Sequence, residues 1–155
     1  MTRAILIDPE QRSVIEIKIR KGIKEIHRVL GCKCITTTRP LNSSLLEGSD
    51  IIYVDDEFLL KDGEGPRFWF QVDADRNPPS SYPIGSKGLV VGNDKRGYDC
   101  DARISVAELQ SRITFTQRKF RGLTELRATE RELWGAPARF FSFGAKTPII
   151  DGTNE

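Results

Sequence analysis

The stretch RAILIDPEQRSVIEIKIRKGIKEIHRVLG, residues 3–31, decides how the chain is read. It opens on a short apolar run, RAILID at 3–8. PEQR follows as a turn, with Pro9 where a missing N–H is tolerated. SVIEIKI at 13–19 then alternates, with Val14, Glu16 and Lys18 on one side and Ile15, Ile17 and Ile19 on the other. A period of two marks a half-buried strand, so the two runs read as an antiparallel hairpin. In IKEIHRVLG at 23–31 the period changes. Ile23, Ile26, Val29 and Leu30 fall at helical spacing, and Gly31 supplies a C-terminal stop.

Strand signals dominate from there on. CITTTR (34–39) is β-branched and ends at Pro40, IIYV (51–54) is apolar, and RFWFQV (67–72) combines aromatic with β-branched residues. GLVVG (88–92) reads as a buried strand, NDKRG (93–97) as a turn, YDCDAR (98–103) as the returning strand and RITFTQ (112–117) as another. Ser105 and Glu108 have the spacing of a capping box for a short helix. The predicted class is α+β, a mostly antiparallel sheet with one or two short helices. Residues 1–117 form that domain and residues 118–155 a C-terminal helical arm and tail. In the arm, Thr124 caps TELRATERELWG (124–135), whose apolar stripe is Leu126, Leu133 and Trp134.

A chain of 155 residues fits one domain and can bury a core without staples. Its 38% hydrophobic and 30% charged residues belong to the polar end of globular composition. A net charge of +2 imposes no strong field toward nucleic acid or membrane. The sequence has no apolar run long enough to span a bilayer. Asp8 and Pro9 interrupt the N-terminal apolar run too early for a signal peptide. Three cysteines without an export signal suit reduced thiols, so the expected location is cytoplasmic.

GSKGLVVGNDKRG, residues 85–97, raises the possibility of a phosphate loop. A P-loop needs its glycines after a strand, with Lys and Ser or Thr opening a helix. Here the order is inverted, because the loop precedes a strand and Lys87 has no helix behind it. The same stretch, together with ILIDPE and IYVDDEFLL, resembles a family of small proteins of unknown function found in bacteriophages and prophages. The resemblance covers about residues 3–117 and implies an accessory protein. It carries no catalytic residues across.

Candidate chemistry is sparse. Asp55, Asp56 and Glu57 offer oxygen ligands for a hard cation, as a metal-dependent hydrolase would need. Consecutive side chains on an extended chain diverge, however, so a turn is the preferred reading. His27, Cys32, Cys34 and Cys100 have zinc-ligand chemistry but the wrong spacing, C-x-C with a remote fourth member. His27 is the one histidine and lies mid-helix, which leaves a His-dependent triad without support. No metal, cofactor or catalytic residue is assigned. Arg118, Lys119, Arg121, Arg127, Arg131 and Arg139, interleaved with Phe120, Trp134, Phe140 and Phe141, could hold nucleic acid. Glu125, Glu130 and Glu132 dilute that charge, so a solvated helix that packs by Leu126, Leu133 and Trp134 is preferred; that stripe and the Phe140, Phe141 and Phe143 cluster are expected to pack against a second subunit.

The favoured function is a non-enzymatic binding module for a host protein or a small anionic ligand. Its contacts are expected on the proline-rich loop 73–85 and the turn 93–97, from Arg76, Tyr82, Lys87, Lys95 and Arg96. Long loops on a rigid sheet concentrate function, and four cations with a phenol suit an anion.

Overall fold

The computed structural model describes residues 1–42, 48–59 and 65–118. The arm and the assembly expected of it lie outside the described residues, apart from Arg118. The opening stretch folds in the strand, strand, helix order its periods imply. Strands β1 (Thr2–Asp8) and β2 (Ser13–Ile19) form an antiparallel hairpin, from Thr2 against Ile19 to Asp8 against Ser13. But β2 does not bury its isoleucine face: Val14 and Ile19 are buried and Ile15 is exposed, because β2 is an edge strand of its sheet. Helix α1 (Ile23–Leu30) follows and closes at Gly31, whose N–H donates to the His27 carbonyl at 2.8 Å. Strands β3 (Ile35–Thr37), β4 (Ser49–Asp55), β5 (Phe68–Val72), β6 (Gly88–Asn93) and β7 (Asp99–Cys100) come next. Helix α2 (Val106–Arg112) runs directly into β8 (Ile113–Gln117).

The main sheet has the order β2-β1-β6-β4-β3, with β7 paired to the end of β6. A separate ribbon pairs β5 with β8, and every strand pairing among the described residues is antiparallel. The two faces of the main sheet bury different layers. Ala4, Leu89 and Val91 pack with Ile26 and Leu30 of α1. Ile5, Ile7, Ile52, Val54 and Val90 pack with Trp69, Phe70 and Val72 of the ribbon and Leu109 of α2. This makes three layers, and it explains why GLVVG is apolar at every side chain: β6 is central and covered on both faces.

The glycines framing β6 have steric reasons. A Cβ on Gly88 would lie 2.7 Å from the Phe70 ring, and one on Gly92 would lie 2.2 Å from the Asp101 carbonyl oxygen. The strand is thus pinched between the ribbon at one end and the returning chain at the other. Ser105 caps α2 as its spacing implies, accepting from the Glu108 N–H at 3.1 Å. Ser105→Ala is expected to lower folding stability by about 1 kcal/mol, read as a lower urea midpoint at unchanged slope.

The loop 73–85 departs from the sequence reading. Only its first half is a surface loop. Ser81, Tyr82, Pro83 and Ile84 are buried and run beside β5, where Ile84 and Phe70 exchange both backbone hydrogen bonds at 2.8 and 2.9 Å. The Ser81 hydroxyl accepts from Val72 N–H at 2.8 Å, and Gln71 Nε2 donates to the Ser81 carbonyl at 3.0 Å. A polar, proline-containing segment is buried here because its polar atoms find partners. Among the described residues, no helix is long and apolar enough to cross a membrane.

Candidate functional site

The antiparallel registers bring the end of β1 (Asp8), the end of β4 (Asp55) and the start of β6 to one end of the sheet. Residues 85–87, just before β6, border two adjoining clefts there, of about 240 and 220 Å³. Pro66, Gly85, Ser86 and Lys87 line both. The first cleft is floored by Leu30 from one layer and Phe58 from the other, so it straddles the sheet end. The Phe58 ring is held edge-on to Trp69, centroids 5.7 Å apart. Asp8, Pro9, Glu10, Arg67 and Phe68 complete the second.

Lys87 is the polar hinge between the clefts. Its ammonium lies 3.8 Å from Asp8 Oδ2 and is about half exposed, so the pair is loose and solvent-screened. Asp55 is 3% exposed, which corrects the solvated turn expected for it. It holds the turn from inside: Oδ1 accepts from Glu57 N–H at 2.9 Å, and its own N–H donates to Ser86 Oγ at 3.3 Å. Asp56 N–H donates to the Cys34 carbonyl at 3.0 Å, tying β3 to the same corner. Among the described residues no three His, Cys, Asp or Glu side chains gather as a metal site would need. His27 Nδ1 lies 3.0 Å from the Cys32 carbonyl and closes the end of α1.

The five residues expected to contact a ligand are distributed over the molecule. Lys87 precedes β6 and borders both clefts, whereas Lys95 and Arg96 sit on the turn after it. Six residues of extended strand separate them by about 20 Å. Arg76 is exposed and lies 3.6 Å from Asp73. Tyr82 is 5% exposed within the core, and burial, with the Asp56 charge adding, pushes its phenol above the ordinary range. Tyr53 is likewise pushed up to about 12 by burial and by Asp99, whose carboxylate accepts from its hydroxyl at 3.0 Å.

Sequence reasoning missed Asp8, Glu10 and Arg67 as cleft residues. They stand up to 79 positions from Lys87 and meet it only through the strand pairing. Glu10 did carry a local signal, because Asp8 Oδ1 accepts from the Glu10 and Gln11 N–H groups, an Asx turn implicit in the letters DPEQ. Compared with known proteins, the chain matches no family model, no curated protein sequence and no solved structure.

Proposed function

We propose that the protein is a non-enzymatic binding module, in keeping with the phage-type accessory role implied by the resemblance over residues 3–117. The observation that supports this reading is the double cleft around residues 85–87, where Lys87 holds only a loose pair with Asp8. A cleft of about 240 Å³ is smaller than the range for drug-sized ligands. It suits a small metabolite or one side chain of a partner peptide. Lys87 and Arg67 offer cationic donors, while Asp8 and Glu10 offer acceptors. The matching ligand carries an anionic group for Lys87 together with hydrogen-bond donors for the carboxylates. Apolar contact with Phe58 and Leu30 adds to its affinity.

The test is a heteronuclear NMR titration with a panel of amino acids, small dicarboxylates and mononucleotides. Shifts are expected on residues 8–10, 55–58, 66–68 and 85–87. For any compound that binds there, Lys87→Ala is expected to weaken affinity about 10- to 100-fold, the range for losing a charge-assisted hydrogen bond. Shifts clustering elsewhere, or a K87A protein that binds as wild type does, would refute this site.

A further inference from the structure

The opposite end of the sheet has another character. Thr2 at the start of β1 pairs with Ile19 at the end of β2, and β1 runs antiparallel to β6. The ends of β2 and β6 therefore emerge on the same side, away from the double cleft. They lie two strand spacings apart, about 10 Å. Arg20, Lys21 and Lys24 leave β2 and open α1, while Lys95, Arg96 and Tyr98 sit on the β6–β7 turn, all of them exposed. The Tyr98 side chain belongs to the few large apolar groups left in solvent, at 68% exposure.

The charge is concentrated, not general. Residues 18–24 carry four Lys or Arg and no carboxylate, whereas the whole chain has 24 Lys and Arg against 22 Asp and Glu. The balance of the chain outside this segment is therefore negative. Carboxylates near the cationic end are engaged by protein donors. Asp94 accepts from the Arg96 and Tyr98 N–H groups at 2.8 and 3.0 Å, Asp99 from Tyr53, and Asp101 from Arg3 N–H at 2.8 Å. Among the described residues, no salt bridge engages Lys21, Lys24 or Lys95. Cations at the start of a helix also oppose its dipole, a cost that a bound polyanion offsets.

We propose that this end of the sheet binds single-stranded nucleic acid, its backbone running across Arg20, Lys21, Lys24, Lys95 and Arg96 with a base stacked on Tyr98. Phosphates spaced along a strand match cations spread over about 10 Å better than one compact anion does. An exposed ring beside cations is the arrangement that holds unpaired bases without reading sequence. A membrane surface is disfavoured because the exposed positions of α1 are Ile23, Lys24 and Arg28, of which Ile23 alone is apolar.

The experiment is fluorescence anisotropy of the full chain with a labelled oligothymidylate of about 20 nucleotides. With about four phosphate contacts, affinity should fall about 50-fold between 50 and 200 mM salt. Lys21→Glu with Lys24→Glu, and separately Lys95→Glu with Arg96→Glu, should each weaken binding at least about tenfold. Tyr98→Ala should weaken it about 5- to 100-fold and Tyr98→Phe should retain it. All are surface changes, and unchanged thermal melting confirms folding. The proposal is overturned if wild type does not bind at 50 mM salt, or if neither charge reversal matters. It is also overturned if Arg118→Ala with Lys119→Ala and Arg121→Ala abolishes binding while the reversals leave it intact. Tighter binding to duplex or to phosphatidylserine vesicles than to the single strand would overturn it as well.

Discussion

Asp50→Ala is expected to lower folding stability by about 2–5 kcal/mol and the melting temperature by about 10 °C. Asp50 is the second residue of β4, pairs with Gly92 of β6 and is fully buried. One carboxylate oxygen accepts from Arg103 N–H at 2.9 Å; the other accepts from Ile104 N–H at 2.8 Å and Asn42 Nδ2 at 3.1 Å. These bonds fasten the chain returning from β7 to the sheet. Arg3 grips the same segment from β1, its guanidinium donating to the Ala102 and Ile104 carbonyls. Alanine would leave two backbone N–H groups without their acceptor, at least one of them buried, and each such group costs about 1–3 kcal/mol. Asp50→Asn keeps one acceptor oxygen but turns an NH₂ toward a backbone N–H, so an intermediate loss is expected. Chemical denaturation checks both. A loss below about 1 kcal/mol for the alanine variant would mean that the segment 101–104 is held by Arg3 and packing alone.

Nothing in the sequence marks Asp50 out, and the reason is general to this molecule. GLVVG was legible because burial on both faces imposes an unbroken apolar run, whereas the alternation of SVIEIKI marked the strand but not its faces, since Val14 is buried and Ile15 exposed. The helices were legible because Gly31 and Ser105 sit where their ends require them. Each of those signals lies within one short window. Asp50 meets Ile104, Asp8 meets Lys87, and Asp73 meets Arg112 across 39 to 79 positions, and composition carries no trace of such meetings. The loop 73–85 misled for a related reason. Prolines and serines read as solvent-facing until Ser81 is seen to spend its polar atoms on β5. The cationic end escaped notice because a net charge of +2 averages one basic segment against an acidic remainder.

Asp73→Asn is expected to cost about 3–5 kcal/mol at neutral pH, the range for breaking a buried ion pair from one side. Asp73 is 4% exposed at its side chain and receives Arg112 through two bonds, Nε at 3.0 Å and Nη2 at 2.7 Å. Arg112, itself 14% exposed, also donates to the Leu41 carbonyl at 3.1 Å, while Ser80 Oγ donates to Asp73. The pair thus joins the end of α2 to the end of β5 and to the chain before β4. Asparagine is the informative replacement because Asp73 has φ +52°, a conformation Asn tolerates better than most side chains. The loss then reports the charge and not backbone strain. The same pair sets an acid limit. Its hydrogen bonds to Arg112 hold the Asp73 carboxyl below the usual range against the opposing effect of burial, and Ser80 and Arg76 reinforce this. A depressed folded pKa gives stability that is fully present above the unfolded value, about 3.9, and is lost as pH falls through the folded one. The gap between wild type and Asp73→Asn should therefore be widest at pH 5–7 and narrow as the pH falls from about 4 toward 2. Urea midpoints across that interval measure it. A gap that stays constant down to pH 2 would mean that Asn disrupts packing, and that the carboxylate charge contributes little.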